Sequence, residues 1–121
     1  MKWGIIGMGD IADKVMEKLV PRVQSLKIGP GIDPEIEMGP LITQQHLEKV
    51  SSYVDLGVKE GAKLVTDGRG LKLQGYEKGF FMGGCVFDDV KPNMRIYKEE
   101  IFGPVMSIVR EENYESALQI V

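Results

Sequence analysis

The densest chemistry in the chain is a six-residue run, Glu99-Glu100-Ile101-Phe102-Gly103-Pro104. Gly103-Pro104 sets a bend, so the side chains just ahead of it are held in fixed directions. A carboxylate there can accept from both hydroxyls of a ribose, and each charged hydrogen bond contributes roughly 1.5–3 kcal/mol. Phe102, two residues beyond Glu100, offers a flat apolar face for a nicotinamide ring, whose contacts aim the carbon that carries hydride. Residue types alone also permit a plainer arrangement, a solvated acidic pair and a core phenylalanine flanking a strand.

Other reactive residue types are sparse. Cys85 is the single cysteine, and it sits in the apolar run Gly84-Cys85-Val86-Phe87. Burial there favours the thiol over the thiolate that a nucleophile needs. His46 is the single histidine; it falls in the first turn of a helix and reads as a solvated side chain, since a general base needs a partner nucleophile. One His and one Cys do not supply the usual ligands of a zinc site. No residue is therefore assigned a catalytic or metal-binding role. Glu111-Glu112 reads as a solvated charge pair at a turn.

Gly7-Met8-Gly9-Asp10-Ile11-Ala12 matches the spacing of a dinucleotide-binding turn. There the first glycine allows the turn, the second admits pyrophosphate, and the small third residue lets helix and strand pack closely. A second strand ending in an acid should follow about 20 residues on. That place holds Ile28-Gly29-Pro30-Gly31-Ile32-Asp33-Pro34, which cannot be a central parallel strand. Asp10 also puts negative charge where phosphate would sit. A plain strand–turn–helix joint is the better reading.

The chain has 121 residues, 43% hydrophobic and 27% charged, with a net charge of −3. That is enough for one core, and the acidic balance gives no basic face for nucleic acid. No apolar run approaches the roughly 20 residues that cross a bilayer. A lone cysteine fits a reducing compartment, so the expected location is cytoplasmic.

Periodicity supplies the elements. A strand is expected over residues 2–8, then a helix with Asp10 as its cap and Ile11, Val15, Leu19, Val23 and Leu26 as its buried stripe. Pro21 should kink or break it. Residues 29–40 hold three prolines and three glycines and form a connecting loop. Thr43 caps a second helix with Leu47, Val50, Val54 and Val58 inward and Gly61 as its left-handed stop. Strands are expected over 63–66, 80–87, 94–97 and 105–109, with a turn at Asp67-Gly68. Asn113 caps a third helix whose Tyr114, Ala117, Leu118 and Val121 share a face. That helix ends on an apolar residue without a stop signal, as though a longer domain continued. The fold class is α/β, strands alternating with about three helices.

The run around Glu100 resembles the cofactor-contacting motif of the aldehyde dehydrogenase superfamily. The likeness extends through Leu26-Lys27-Ile28-Gly29-Pro30-Gly31, Met38-Gly39-Pro40-Leu41, Val54-Asp55-Leu56-Gly57-Val58-Lys59-Glu60-Gly61-Ala62, Gly75-Tyr76-Glu77-Lys78-Gly79-Phe80-Phe81 and Pro92-Asn93-Met94-Arg95-Ile96-Tyr97. Together these are similar to the CoA-acylating methylmalonate-semialdehyde branch. The resemblance implies that residues 1–121 are part of a catalytic domain, with residues 1–9 an atypical start. It implies that Glu100 binds the nicotinamide ribose of NAD and that Phe102 lies by the ring. In that family a cysteine thiolate attacks the aldehyde, hydride passes to NAD, and CoA removes the acyl group. The nucleophile is expected just before the first strand, so these 121 residues alone should be inactive, and a full-length enzyme should be a homo-oligomer acting on a small aldehyde. Two other readings stand beside this one: a non-catalytic interaction module, and a small dinucleotide binder using Gly7 and Gly9.

Overall fold

Apolar and polar residues alternate too briefly here to build long strands, and the sheet that forms is made of short ones. The structure, a computed structural model, describes residues 4–7 and 9–120. In chain order the elements are β1 (Gly4–Gly7), α1 (Gly9–Gln24), α2 (Gln44–Lys59), β2 (Lys63–Thr66), β3 (Cys85–Asp88), α3 (Arg95–Lys98), β4 (Val105–Arg110) and α4 (Tyr114–Gln119). The sheet order is β1-β4-β3-β2. β4 runs parallel to both β1 and β3, and β2 is antiparallel to β3. The α/β class is as expected.

Side-chain alternation along β3 divides the molecule into layers. Val86 joins Met16 and Ile108 on the face covered by α1. Cys85 and Phe87 point the other way, into a core with Val50, Val54, Ile96 and Val109 beneath α2 and α3.

α1 differs from expectation in two respects. Ala12 and Met16 are its buried residues, whereas Ile11 is 58% exposed, so the inward face is turned by about one residue. The helix also runs through Pro21 to Gln24. Proline deprives only the carbonyl four residues back of its partner, and Glu17 and Pro21 both lie on the exposed side, where water can serve that carbonyl. Asp10 stands within the first turn rather than at the cap. Residues 2, 3 and 8 of the expected first strand lie outside the described residues.

Thr43 caps α2 as expected, its Oγ1 accepting from the His46 N–H at 3.1 Å, and Gly61 takes φ +96° after the helix. Val50 and Val54 are buried, but Val58 is half exposed. Gly57 holds the inward place instead, because a Cβ there would lie 2.7 Å from Phe87 Cζ and 3.0 Å from Ile96 Cδ1.

Two expected strands are corrected. Residues 80–84 are irregular, and β3 begins only at Cys85. The Gly83 N–H donates to Gly68 O at 2.7 Å, and a Cβ on Gly68 would stand 2.1 Å from the Gly83 carbonyl carbon. The two backbones thus meet at a close crossing in place of a strand ladder. The turn next to it lies at residues 69–70, just beyond Asp67-Gly68.

Residues 94–97, expected as a strand, instead contribute to the single-turn helix α3, since the Glu60 carboxylate accepts from the Arg95 N–H at 2.8 Å and the Ile96 N–H at 3.3 Å. A side chain 35 residues away acts as its cap. In α4 Asn113 caps as expected, accepting from the Ser116 N–H at 2.8 Å. Tyr114 and Leu118 are nevertheless 63% and 56% exposed, and Val121 lies outside the described residues.

Candidate functional site

One face of α2 carries the segment that contains Glu100 and Phe102. Its residues 46, 50, 53, 57 and 60 recur at spacings of four and three, which places them in one line along a helix. The chain from Arg95 to Gly103 lies along that line in the opposite direction. Glu60 holds the start of α3, and Gly57 makes room for Ile96. The Tyr53 hydroxyl donates to Glu99 Oε2 at 2.6 Å. Val50 lies against Gly103, where an added Cβ would be 2.7 Å from both valine methyls. His46 Nε2 meets the Phe102 carbonyl oxygen.

The two adjacent glutamates consequently differ. Glu99 accepts from Arg95 Nε at 2.6 Å as well as from Tyr53. The Arg95 hydrogen bond first, and the Tyr53 bond second, hold its carboxyl down at about 2. Glu99 is a structural anion. Glu100 is exposed, and Phe102 two residues on is 68% exposed. The plainer arrangement, a core phenylalanine, is therefore not what forms. An exposed ring on an anchored bend beside an exposed carboxylate suits a flat heterocycle joined to a ribose, with the ring taking the aromatic face and the carboxylate the hydroxyls.

His46 departs from its expected solvated state: it is half-buried and bonded to main chain. Its part in the site was hidden because Phe102 is 56 residues away. The spacing of 46, 50, 53, 57 and 60 was visible, but it mixes His, Val, Tyr, Gly and Glu and so does not register as an apolar stripe.

Cys85 is placed as expected, 1% exposed on β3. Its Sγ accepts from the Gly68 N–H at 3.3 Å, and burial pushes the thiol pKa up. Arg69 and Asp67 lie close by, but Arg69 is committed to ion pairs with Asp67 and Asp55. A cleft of about 550 Å³ opens beside them, lined by Val23, Leu26, Thr66, Asp67, Arg69 and Gly84 among others. Neither Glu100 nor Phe102 lines it. At the Gly7–Ala12 motif β1 ends at Gly7 and α1 starts at Gly9, and Ala12 is 1% exposed, which fits a close strand–helix joint. Among the described residues no three His, Cys, Asp or Glu side chains converge to hold a metal ion, and no helix is long and apolar enough to cross a membrane.

Residues 5–121 match the model of the aldehyde dehydrogenase family. A malonate-semialdehyde dehydrogenase of Pseudomonas aeruginosa is 51% identical over 115 residues, 94% of this chain and 23% of the relative. The human mitochondrial methylmalonate-semialdehyde/malonate-semialdehyde dehydrogenase [acylating] is 46% identical over 110 residues, 91% of this chain and 21% of the relative. A Sinorhizobium meliloti 1021 protein assigned as a methylmalonate-semialdehyde dehydrogenase, crystallised with NAD, superposes with a TM-score of 0.93 at 52% identity. That match covers 97% of this chain and 24% of the other. The chain thus spans about a quarter of the length of the relatives it matches.

Proposed function

The chain belongs to the aldehyde dehydrogenase family, and on that premise we propose that it supplies one wall of the cofactor site in an NAD-dependent, CoA-acylating oxidation of malonate or methylmalonate semialdehyde. The observation that carries the reading is the pairing of an exposed Glu100 with a 68% exposed Phe102 on a bend anchored by α2. When bound, NAD supplies the hydride acceptor for the aldehyde. Glu100 accepts from the ribose hydroxyls and sets the sugar's position. Phe102 lays its face by the nicotinamide and keeps water from that side of the ring. Support for NAD comes from the relative crystallised with it, and support for CoA from the human relative, whose name specifies acylation.

The attacking thiolate comes from outside these 121 residues. Cys85 is sealed in the core with its thiol pKa pushed up, and a nucleophilic cysteine needs the opposite setting. The purified chain mixed with malonate semialdehyde, NAD and CoA is expected to form no NADH. Turnover that disappears in Cys85→Ser would overturn this.

The cofactor role is tested by grafting the chain in place of the matching stretch of the Pseudomonas aeruginosa relative. Glu100→Gln in that graft should raise the KM for NAD about tenfold, the scale of one lost charged hydrogen bond. An unchanged KM and kcat would sink it. A second reading, a non-catalytic interaction module, is favoured by Ile32 and Ile42, which are 92% and 86% exposed. Self-association of the chain in light scattering would support that reading, and a clean monomer would count against it.

A further inference from the structure

We propose that His46 is a positioning residue for the cofactor-facing bend, its imidazole fixing the Phe102 carbonyl and so the directions in which Glu100 and Phe102 project. The inference deepens, and rests on, the reading of those two side chains as cofactor contacts. A carbonyl oxygen can only accept, so Nε2 of His46 carries the proton and donates it to Phe102 O. The imidazole springs from the capped end of α2, where the main-chain N–H of His46 is itself held by Thr43 at 3.1 Å. Its root is fixed, and a fixed root makes a useful clamp.

The bend needs one. Its own main-chain bonds are short-range: Gly103 N–H to Ile101 O at 2.9 Å, and Val105 N–H to Gly103 O at 2.7 Å. Such local bonds shape a loop without tying it to the body of the protein. At Pro104 the tie is made by the Cys85 N–H, 2.8 Å from the carbonyl oxygen. At Phe102 it is made by His46. Val50 meets Gly103, and Tyr53 holds Glu99. These grips on positions 99, 102, 103 and 104 use the Glu99 carboxylate, main chain and glycine space. None of them uses the Phe102 ring, which stays 68% exposed.

The test is amide hydrogen exchange on the 121-residue chain, comparing His46→Ala with His46→Gln. Alanine removes the donor while favouring helix, so α2 itself should persist. Exchange at the Gly103 and Val105 amides is expected to quicken about fivefold to tenfold, the scale of one neutral hydrogen bond. The Val50 and Val54 amides should keep their rates. His46→Gln retains an N–H donor and should restore most of the protection.

Unchanged exchange at Gly103 and Val105 in His46→Ala would overturn the proposal. So would an equal rise across α2 and the sheet, which would signal a general loss of stability. In the graft described above, His46→Ala should raise the KM for NAD severalfold and His46→Gln should recover it. If the bend loosens but neither His46→Ala nor Glu100→Gln alters that KM, the clamp stands and the cofactor reading falls.

Discussion

At β3 and at the bend over α2, similar groups meet opposite fates. β3 holds a thiol, a phenylalanine and a carboxylate within four residues of one strand, and all are enclosed: Cys85 is 1% exposed, Phe87 0% and Asp88 5%. The bend also holds carboxylates and a phenylalanine, yet Phe102 is 68% exposed and Glu100 stands outside. In β3 the side chains are the packing, and their chemistry is consumed by it. Cys85 is a weakly hydrogen-bonded apolar filler, and Asp88 is bound by Arg110 through two bonds of 2.9 and 2.8 Å. In the bend the packing is delegated to main chain, to Gly103 and to Glu99, and the ring of Phe102 stays exposed. A group that could do chemistry does so only where something else holds its backbone.

The contrast can be broken most forcefully at the two phenylalanines. Phe87→Ala should cost about 3–5 kcal/mol in denaturant unfolding, because a fully buried ring leaves a cavity. Phe102→Ala should change stability by no more than about 0.5 kcal/mol. A large loss at Phe102 would show that the ring is structural after all.

The next largest effect concerns Asp88. The hydrogen bond from Arg110 is the main cause that holds its carboxyl below the usual range. Because the folded pKa lies below the unfolded one, the stabilisation is fully present above about pH 4 and is lost as pH falls through the folded value. Asp88→Asn should therefore destabilise the protein by about 2 kcal/mol at neutral pH. It should also flatten the acid limb of the stability–pH curve, as measured by urea titrations between neutral pH and pH 3. A parallel loss at every pH would mean that charge is not the cause.

A smaller, kinetic effect sharpens the comparison at Cys85. With burial pushing its thiol up, alkylation of the native chain by iodoacetamide near pH 7.5 should be at least about tenfold slower than that of the unfolded chain. Equal rates would show that the strand opens freely, and would reopen the question of a reactive thiol.

Several parts of this molecule were legible in local order alone. Thr43 and Asn113 are caps because a short hydroxyl or amide side chain precedes a helical run, and both cap as expected. Gly61 is a stop because only glycine enters the left-handed region at no steric cost. The bend at Gly103-Pro104 was likewise readable from residue order, whereas the choice of Glu100 and Phe102 as a cofactor pair rests on the family resemblance. The failures share a different cause. Local order reads α3 as a strand because its cap, Glu60, lies outside the element. The residues before Cys85 read as strand because their crossing with Gly68 leaves no local trace in the residue order. Helical spacing puts Val58 inward because it rewards valine over glycine, whereas the packing of Phe87 and Ile96 demands the residue with no side chain at Gly57.

By itself, then, the order of residues determined the α/β class, the caps of α2 and α4 and the burial of Cys85. These depend on backbone preferences and short-range periodicity, which act within a turn or two of the chain. Only the tertiary structure decided that Glu99 is locked while Glu100 lies outside, and that His46 holds the Phe102 carbonyl. Those outcomes depend on which distant groups arrive within hydrogen-bond reach. Proximity of that kind is created by the packing of α2 along residues 95–103, and no local window contains it.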